Sequence, residues 1–277
     1  MLRRLSVTAL ALVSLSACGD EATTPVDTGR TIFGLTTTNQ LVRFQAGTPG
    51  TIDRTVAITG LATGETLRGI DFRTGVAPAG GLYGLGSSSR LYTIDTLTGV
   101  ATALGTAAFT PALEVGPLGV DFNPAVDRFR VHNSTRQDLR LNQLTGTVAA
   151  VDSVLTYVTT DVNSAATPRV VGTAYTNARP NVVGTGTVLF AIDAATDAVV
   201  RLNNPNDGRL MTVGGLGLDA SDDVGFDIAG DTGEALATIR TATGTASGLY
   251  RILVSGAAQL IGPVGTTVPL VGITIVP

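Results

Sequence analysis

The chain has 277 residues, a formal charge of −4, a sequence pI near 4.9 and no basic stripe, which excludes the electrostatic footprint of a nucleic-acid binder. Hydrophobic residues make up 44%, aromatics only 5%, Trp is absent and Gly numbers 34, a profile of many short strands and tight turns rather than long helices. All 18 basic residues are arginines, so Schiff-base, pyridoxal-anchoring and Walker-lysine chemistries are excluded.

The first residues read as an export signal. Met1–Arg4 is a charged start, and Leu5 to Ala17 is a 13-residue apolar run, too short to span a bilayer but suited to a signal-peptide core. The run ends in Leu15-Ser16-Ala17-Cys18, which resembles the lipobox of bacterial lipoproteins. That resemblance implies cleavage before Cys18, with a diacylglycerol on its thiol and an acyl group on the new amine. Cys18 is the only cysteine, so disulfides are excluded and thiol catalysis has no other candidate. Several acyl chains give stable membrane anchoring where one is marginal. Gly19, rather than Asp, follows the cysteine, which favours the outer membrane in a cell that has one. Loss of Arg3 and Arg4 with the signal takes the formal charge from −4 to −6. The division is thus a signal peptide at 1–17, a lipidated cysteine with a polar tether at 18–30, and a folded domain at 31–277.

That domain repeats. Gly69-Ile-Asp-Phe72, Gly119-Val-Asp-Phe122, Gly172-Thr-Ala-Tyr175, Gly225-Phe-Asp-Ile228 and Gly272-Ile-Thr-Ile275 start 50, 53, 53 and 47 residues apart, the period of a propeller blade. Three further short apolar segments follow each of the first four starts. In the first unit they are LYGLGSS (82–88), RLYTID (90–95) and VATALG (100–105), with the turn TLTG before the last. After Gly272 the sequence offers a single strand. Three strands without an innermost one stand at the other end, TIFGLTT (31–37), QLVRFQ (40–45) and TVAITG (55–60). The reading is an all-β, five-bladed β-propeller with four-stranded blades, its ring closed by the C-terminal strand 271–276 joining the N-terminal strands 31–60. Closure removes the sheet edge between first and last blades.

The segments GETLRGIDFRTG…LYGLGSSSRLYTIDTLTGVATALG, GVDFNPAVDRFRV…DLRLNQLTG and NNPNDGRLMTVG resemble an uncharacterised bacterial family, domain of unknown function 4394, over about residues 31–275. The resemblance implies an exported, propeller-like protein and carries over no catalytic residue.

Acid–base chemistry is left to carboxylates. Asp71, Asp121 and Asp227 hold the same place in three innermost strands, which line the channel of a propeller. They could form a ring of oxygens around Ca²⁺ or act in pairs on a glycoside. The plainer reading, which regular repetition favours, is that each ties its strand to a neighbouring blade through backbone N–H groups. His132 is the only histidine, so a catalytic triad would have to use it and a His/Cys zinc site lacks ligands. A hydrogen-bonded residue at a strand end is the simpler role.

Two features break the repeat, and two weaker candidates stand beside them. Residues 154–169 are inserted between the third and fourth innermost strands, where a loop on the binding face is expected. Asn203-Asn-Pro-Asn206-Asp207-Gly208 is a longer, Asn/Asp-rich turn that could present Asn203, Asn206 and Asp207 on a rim; Ser221-Asp-Asp223 is a similar candidate. Arg128, Arg130, Arg136 and Arg140 cluster in one repeat, with spacing that suits a solvated strand face. Together these features predict a monomeric, non-enzymatic binding module with no obligatory cofactor, anchored through Cys18 and engaging an envelope protein or glycan. A carboxylate- or calcium-dependent polysaccharide hydrolase or lyase is the alternative.

Overall fold

Strands with apolar residues on both faces need a covering sheet on each side, and sheets set around a common axis supply one. The computed structural model describes residues 27–74, 81–179 and 186–277. The expected signal segment 1–17 and Cys18 lie outside the described residues.

The chain opens with β1 (Thr31–Thr36), β2 (Gln40–Gln45) and β3 (Ile52–Ala57). The second blade is β4 (Leu67–Phe72), β5 (Leu82–Gly86), β6 (Arg90–Ile94) and β7 (Ala101–Ala103). The third is β8 (Leu118–Asn123), β9 (Arg128–Asn133), β10 (Asp138–Leu141) and β11 (Val148–Val151). After β12 (Thr156–Tyr157) comes the fourth, β13 (Val170–Tyr175), β14 (Leu189–Asp193), β15 (Ala198–Leu202) and β16 (Arg209–Gly215). The fifth is β17 (Ala220–Ile228), β18 (Ala235–Thr241), β19 (Ser247–Ile252) and β20 (Ala258–Pro263). Finally β21 (Leu270–Ile275) pairs antiparallel with β1, Ile32 opposite Ile275 and Gly34 opposite Ile273, and completes the first blade. The protein is a five-bladed β-propeller closed by its two ends.

The innermost strands touch in cyclic order, β21 to β4, β4 to β8, β8 to β13, β13 to β17 and β17 back to β21. Four apolar clusters each join two neighbouring blades, and a fifth joins the fourth blade to the inserted segment 154–169. Neighbouring residues of one strand serve opposite faces: Val199 packs toward the fifth blade, and Val200 belongs to the cluster with Leu155 and Tyr157. Inner and middle strands are therefore buried along their length, whereas the outer strands β3, β7, β11 and β20 are largely exposed.

Two local differences from the sequence reading have physical causes. The outer strand of the first blade begins at Ile52 rather than Thr55, because the tight turn from Thr48 to Thr51 returns the chain to the sheet sooner. Thr59 has already left for a parallel bridge with Val100 of the second blade. The insertion 154–169 is not a loop on one face. Its β12 adds in parallel to the outer edge of β16 as a fifth strand, with Leu155 and Tyr157 buried and the Asp161 carboxylate accepting from the Thr212 amide and hydroxyl. It covers part of an exposed sheet edge.

Residues 27–30, the end of the expected tether at 18–30, fall within the described structure. Arg30 is buried and pairs with Asp231 at 3.2 Å and with Glu234, which also pairs with Arg251 at 2.7 Å. The segment from Asp27 onward is thus docked on the fifth blade.

Candidate functional site

An innermost strand has no sheet partner on its axial side, so alternate backbone N–H groups face the axis and need an acceptor. The third residue of four of the five repeated motifs supplies it. Thr274 Oγ1 accepts from Phe72 N at 3.2 Å, Asp71 Oδ2 from Phe122 N at 2.7 Å, and Asp227 Oδ2 from Ile275 N at 2.6 Å. Asp121 takes the backbone N–H of Tyr175. Each cap thus crosses from one blade to the next. The equivalent residue of the fourth blade is Ala174, which has nothing to offer, and Asp227 Oδ1 turns back to accept from Ile228 N at 2.6 Å. Thr274 in turn donates to Asp71 Oδ1 at 2.9 Å. The aspartates form a belt that ties blade to blade, as the plainer reading of the repeat expects.

The belt also does what three separate caps need not do: it brings the three carboxylates together. One oxygen from each of Asp71, Asp121 and Asp227 lies within 4.8 Å of the others, and all three side chains are buried. Burial, followed by the nearby Asp227 charge, holds the Asp71 carboxyl well above its ordinary range despite the hydrogen bonds from Phe122 and Thr274. Asp121 is raised likewise by burial and then by Asp71 and Asp227. Burial pushes Asp227 up to about 6, against the bonds from Ile275 and Ile228.

A raised carboxyl favours the folded state at low pH. The folded chain keeps the Asp227 proton until about pH 6, whereas the unfolded chain releases it near the ordinary value of 3.8, so folding loses this support as pH rises between the two. The shift corresponds to about 3 kcal/mol. Urea unfolding in EDTA is expected to show Asp227→Asn gaining on the wild type by about that amount between pH 4 and pH 7.5. A constant difference between the two proteins over that range would remove the titration argument.

On one side of the belt the axis closes. Ile70, Val120, Val171, Val224 and Ile273 leave a space of about 10 Å³, no larger than one water needs. On the other side a funnel of about 160 Å³ opens, lined by Arg30, Asp71, Asp227, Asp231 and the C-terminal Ile275–Pro277. Ser221, Asp222 and Asp223 lie elsewhere. Asp222 and Asp223 pair with Arg169 and Arg240 and border a space of about 60 Å³ with Arg68 and Leu118. Ser221 Oγ accepts from the Asp223 amide.

His132 sits in a Thr–His–Asp line. Its Nδ1 is 3.1 Å from Thr173 Oγ1 and its Nε2 is 3.3 Å from Asp138 Oδ2. All three side chains are buried, and Thr173 borders the 10 Å³ axial space, which is too small for a substrate carbonyl to approach its hydroxyl from there.

The arginine cluster is not a solvated face. Arg130 is only 1% exposed; it pairs with Asp138 at 2.5 Å and Asp152 at 3.1 Å and donates to Tyr175 and Asn206. Burial opposes its charge, but Tyr175, Asp138 and Asp152 outweigh it and hold the guanidinium firmly protonated. Arg140 grips Asp152 with two bonds of 2.7 and 2.8 Å. Within the expected rim turn, Asn206 faces inward: its side chain accepts from Arg130 and its carbonyl from Ser153 N. Asp207 accepts from Asn204, and Asn203 remains on the exposed side against Met211. The sequence signal missed was the pair of acids in the same repeat as Arg130: Asp138 at the start of β10 and Asp152 just after β11.

A family model described as a domain of unknown function (DUF4394) matches residues 40–274. The chain belongs to this family. No curated protein matches it closely. Among solved structures, this DUF4394 chain is similar to virginiamycin B lyase from Staphylococcus aureus at 13% identity and a TM-score of 0.41, over 84% of this chain and 70% of that one. It is also similar to YCF48 bound to D1 peptide, at 14% identity and a TM-score of 0.37, over 80% of this chain and 60% of that one.

Proposed function

We propose that this protein is an exported lipoprotein whose propeller is a non-enzymatic binding module of the cell envelope, engaging an envelope protein or glycan. One observation carries the reading. The three aspartates that alone could support acid–base chemistry in the repeat are spent on blade-to-blade caps, behind a funnel of about 160 Å³. Small-molecule sites usually enclose about 300–1,000 Å³, and a polysaccharide chain flanked by two carboxylates needs an open cleft. A ligand of that kind does not fit at the belt, which leaves the broad surfaces of the blades and their connecting turns for a macromolecular partner.

The anchor follows from the charged start, the apolar run and Cys18. Among the described residues no helix is long and apolar enough to cross a membrane, so attachment rests on the lipid. The first test is fractionation of cells fed a labelled fatty acid. The wild-type chain is expected to take up the label and pellet with membranes; Cys18→Ser is expected to take up none and to be lost from the pellet. An unlabelled wild-type chain would overturn the anchor. Binding is tested by thermal unfolding against envelope glycans and peptides. Turnover of any of them, abolished by a single carboxylate substitution, would overturn the non-enzymatic reading.

A further inference from the structure

We propose that the axial belt of Asp71, Asp121 and Asp227 is a binding site for one calcium ion that locks blades of the ring to one another. Three observations meet at this point. The oxygens of the three carboxylates lie within 4.8 Å of one another. Ligands of one calcium ion, each at about 2.3–2.6 Å, stand no more than about 4.6–5.2 Å apart, so oxygens this close are within reach of a single ion; magnesium, which keeps several of its waters, suits a buried protein set less well.

The second observation is Asp121. Its Oδ1 is fully buried and has no hydrogen-bond partner among the described residues, and the side chain, only 1% exposed, belongs to the cluster. Asp71 and Asp227 have donors on both oxygens, from Thr274, Phe122, Ile228 and Ile275. Desolvation makes a buried carboxylate oxygen costly unless a proton, a donor or a cation meets it. A carboxylate oxygen has two lone pairs, so the capped oxygens can keep their N–H donors and still face an ion.

The third is the donor chemistry. Carboxylates and the Thr274 hydroxyl are hard oxygen donors, and the one histidine lies in the Arg130 network, bonded to Thr173 and facing Asp138. Oxygen-only sets select calcium or magnesium over zinc or copper. The ring is also one side chain short at Ala174, so its fifth position has no polar group competing for the ion. A cation there would draw together acids from the second, third and fifth blades and, through Thr274, the closing strand of the first. It would act on the fold whether or not the propeller also engages an envelope partner.

The test uses the full-length chain in detergent, stripped with EDTA and titrated calorimetrically with CaCl₂ at pH 7.5. Expected are one ion per chain, a dissociation constant on the order of 10⁻⁴ M at the weaker end of calcium sites, and a rise in Tm that EDTA reverses. Asp121→Asn keeps the shape of the side chain and is expected to weaken binding at least about tenfold, since ligand charge sets affinity. Asp53→Asn, on an exposed outer strand, is expected to bind as the wild type does. The site does not exist if the wild type shows neither heat nor a Tm shift at several millimolar calcium, a result that needs no variant to fold. Binding that Asp121→Asn leaves unchanged would place the ion elsewhere, and preference for magnesium would overturn the assignment to calcium.

Discussion

Arg130→Met is expected to destabilise the protein by about 3–5 kcal/mol, measured by urea unfolding at pH 7.5. Arg130 is buried between the third and fourth blades, and its guanidinium is shared among Asp138, Asp152, Tyr175 and Asn206. Methionine fills a similar volume but leaves those groups in place. Asp152 keeps two bonds from Arg140, so it is only partly orphaned. Asp138 is worse off, because its other oxygen, 3.3 Å from His132, makes no well-aligned hydrogen bond. Tyr175, its hydroxyl pushed up to about 12 mainly by burial, loses a charged donor. Most of the cost is the stranded charge on Asp138. It follows that Arg130→Met with Asp138→Leu is less damaged than Arg130→Met alone, the reverse of additive behaviour. Equal or greater loss in the double variant would show that packing, not charge, carries the effect.

That network marks the limit of what the sequence discloses. The blades were legible because each repeats a glycine, a strand period and a turn. The Thr-Leu-Thr-Gly and Gln-Leu-Thr-Gly turns show why the signal is sharp: Asp95 and Asn142 each accept two backbone N–H groups ahead of Gly99 and Gly146, whose φ values are 76° and 69°. Closure was legible because three strands at one end complement one at the other. The caps formed by Asp71 and Asp227 could be anticipated from position alone. Their convergence within 4.8 Å depends on the radius of the ring, which no strand pattern reports. The burial of Arg130 is not legible because the alternation of Arg128, Arg130 and Arg140 with apolar residues looks the same on a solvated face as on one that meets acids of its own blade and polar groups of the next. The insertion was misread because β12 is two residues long and pairs with a strand more than fifty positions away.

The radius of the ring has a cause that can be tested. Five inner strands approach the axis closely, and the first residue of each motif sits where they meet. A Cβ placed on Gly119 would lie 2.4 Å from Thr173 N and 2.5 Å from Gly172 C, and one on Gly225 would lie 2.4 Å from Ile273 N and 2.6 Å from Gly272 C. These contacts are backbone against backbone, so no rotamer change relieves them, and the blades would have to move apart. Overpacking ordinarily costs about 1–3 kcal/mol. Here the displaced strand also carries the Tyr175 amide bonded to Asp121, so Gly119→Ala is expected to cost about 3 kcal/mol or more. Gly272 is the internal control: the same motif position, but with nothing nearer than Ile70 N at 3.5 Å, an ordinary contact. Its φ is not in the left-handed region, so alanine there loses less conformational entropy on folding. Gly272→Ala is therefore expected to be neutral or to add up to about 1 kcal/mol. The two substitutions are chemically identical and occupy equivalent places in the repeat, so the contrast in their urea midpoints isolates the interstrand approach. Similar losses at both positions would mean that the glycines serve the strand itself and not the closeness of the ring.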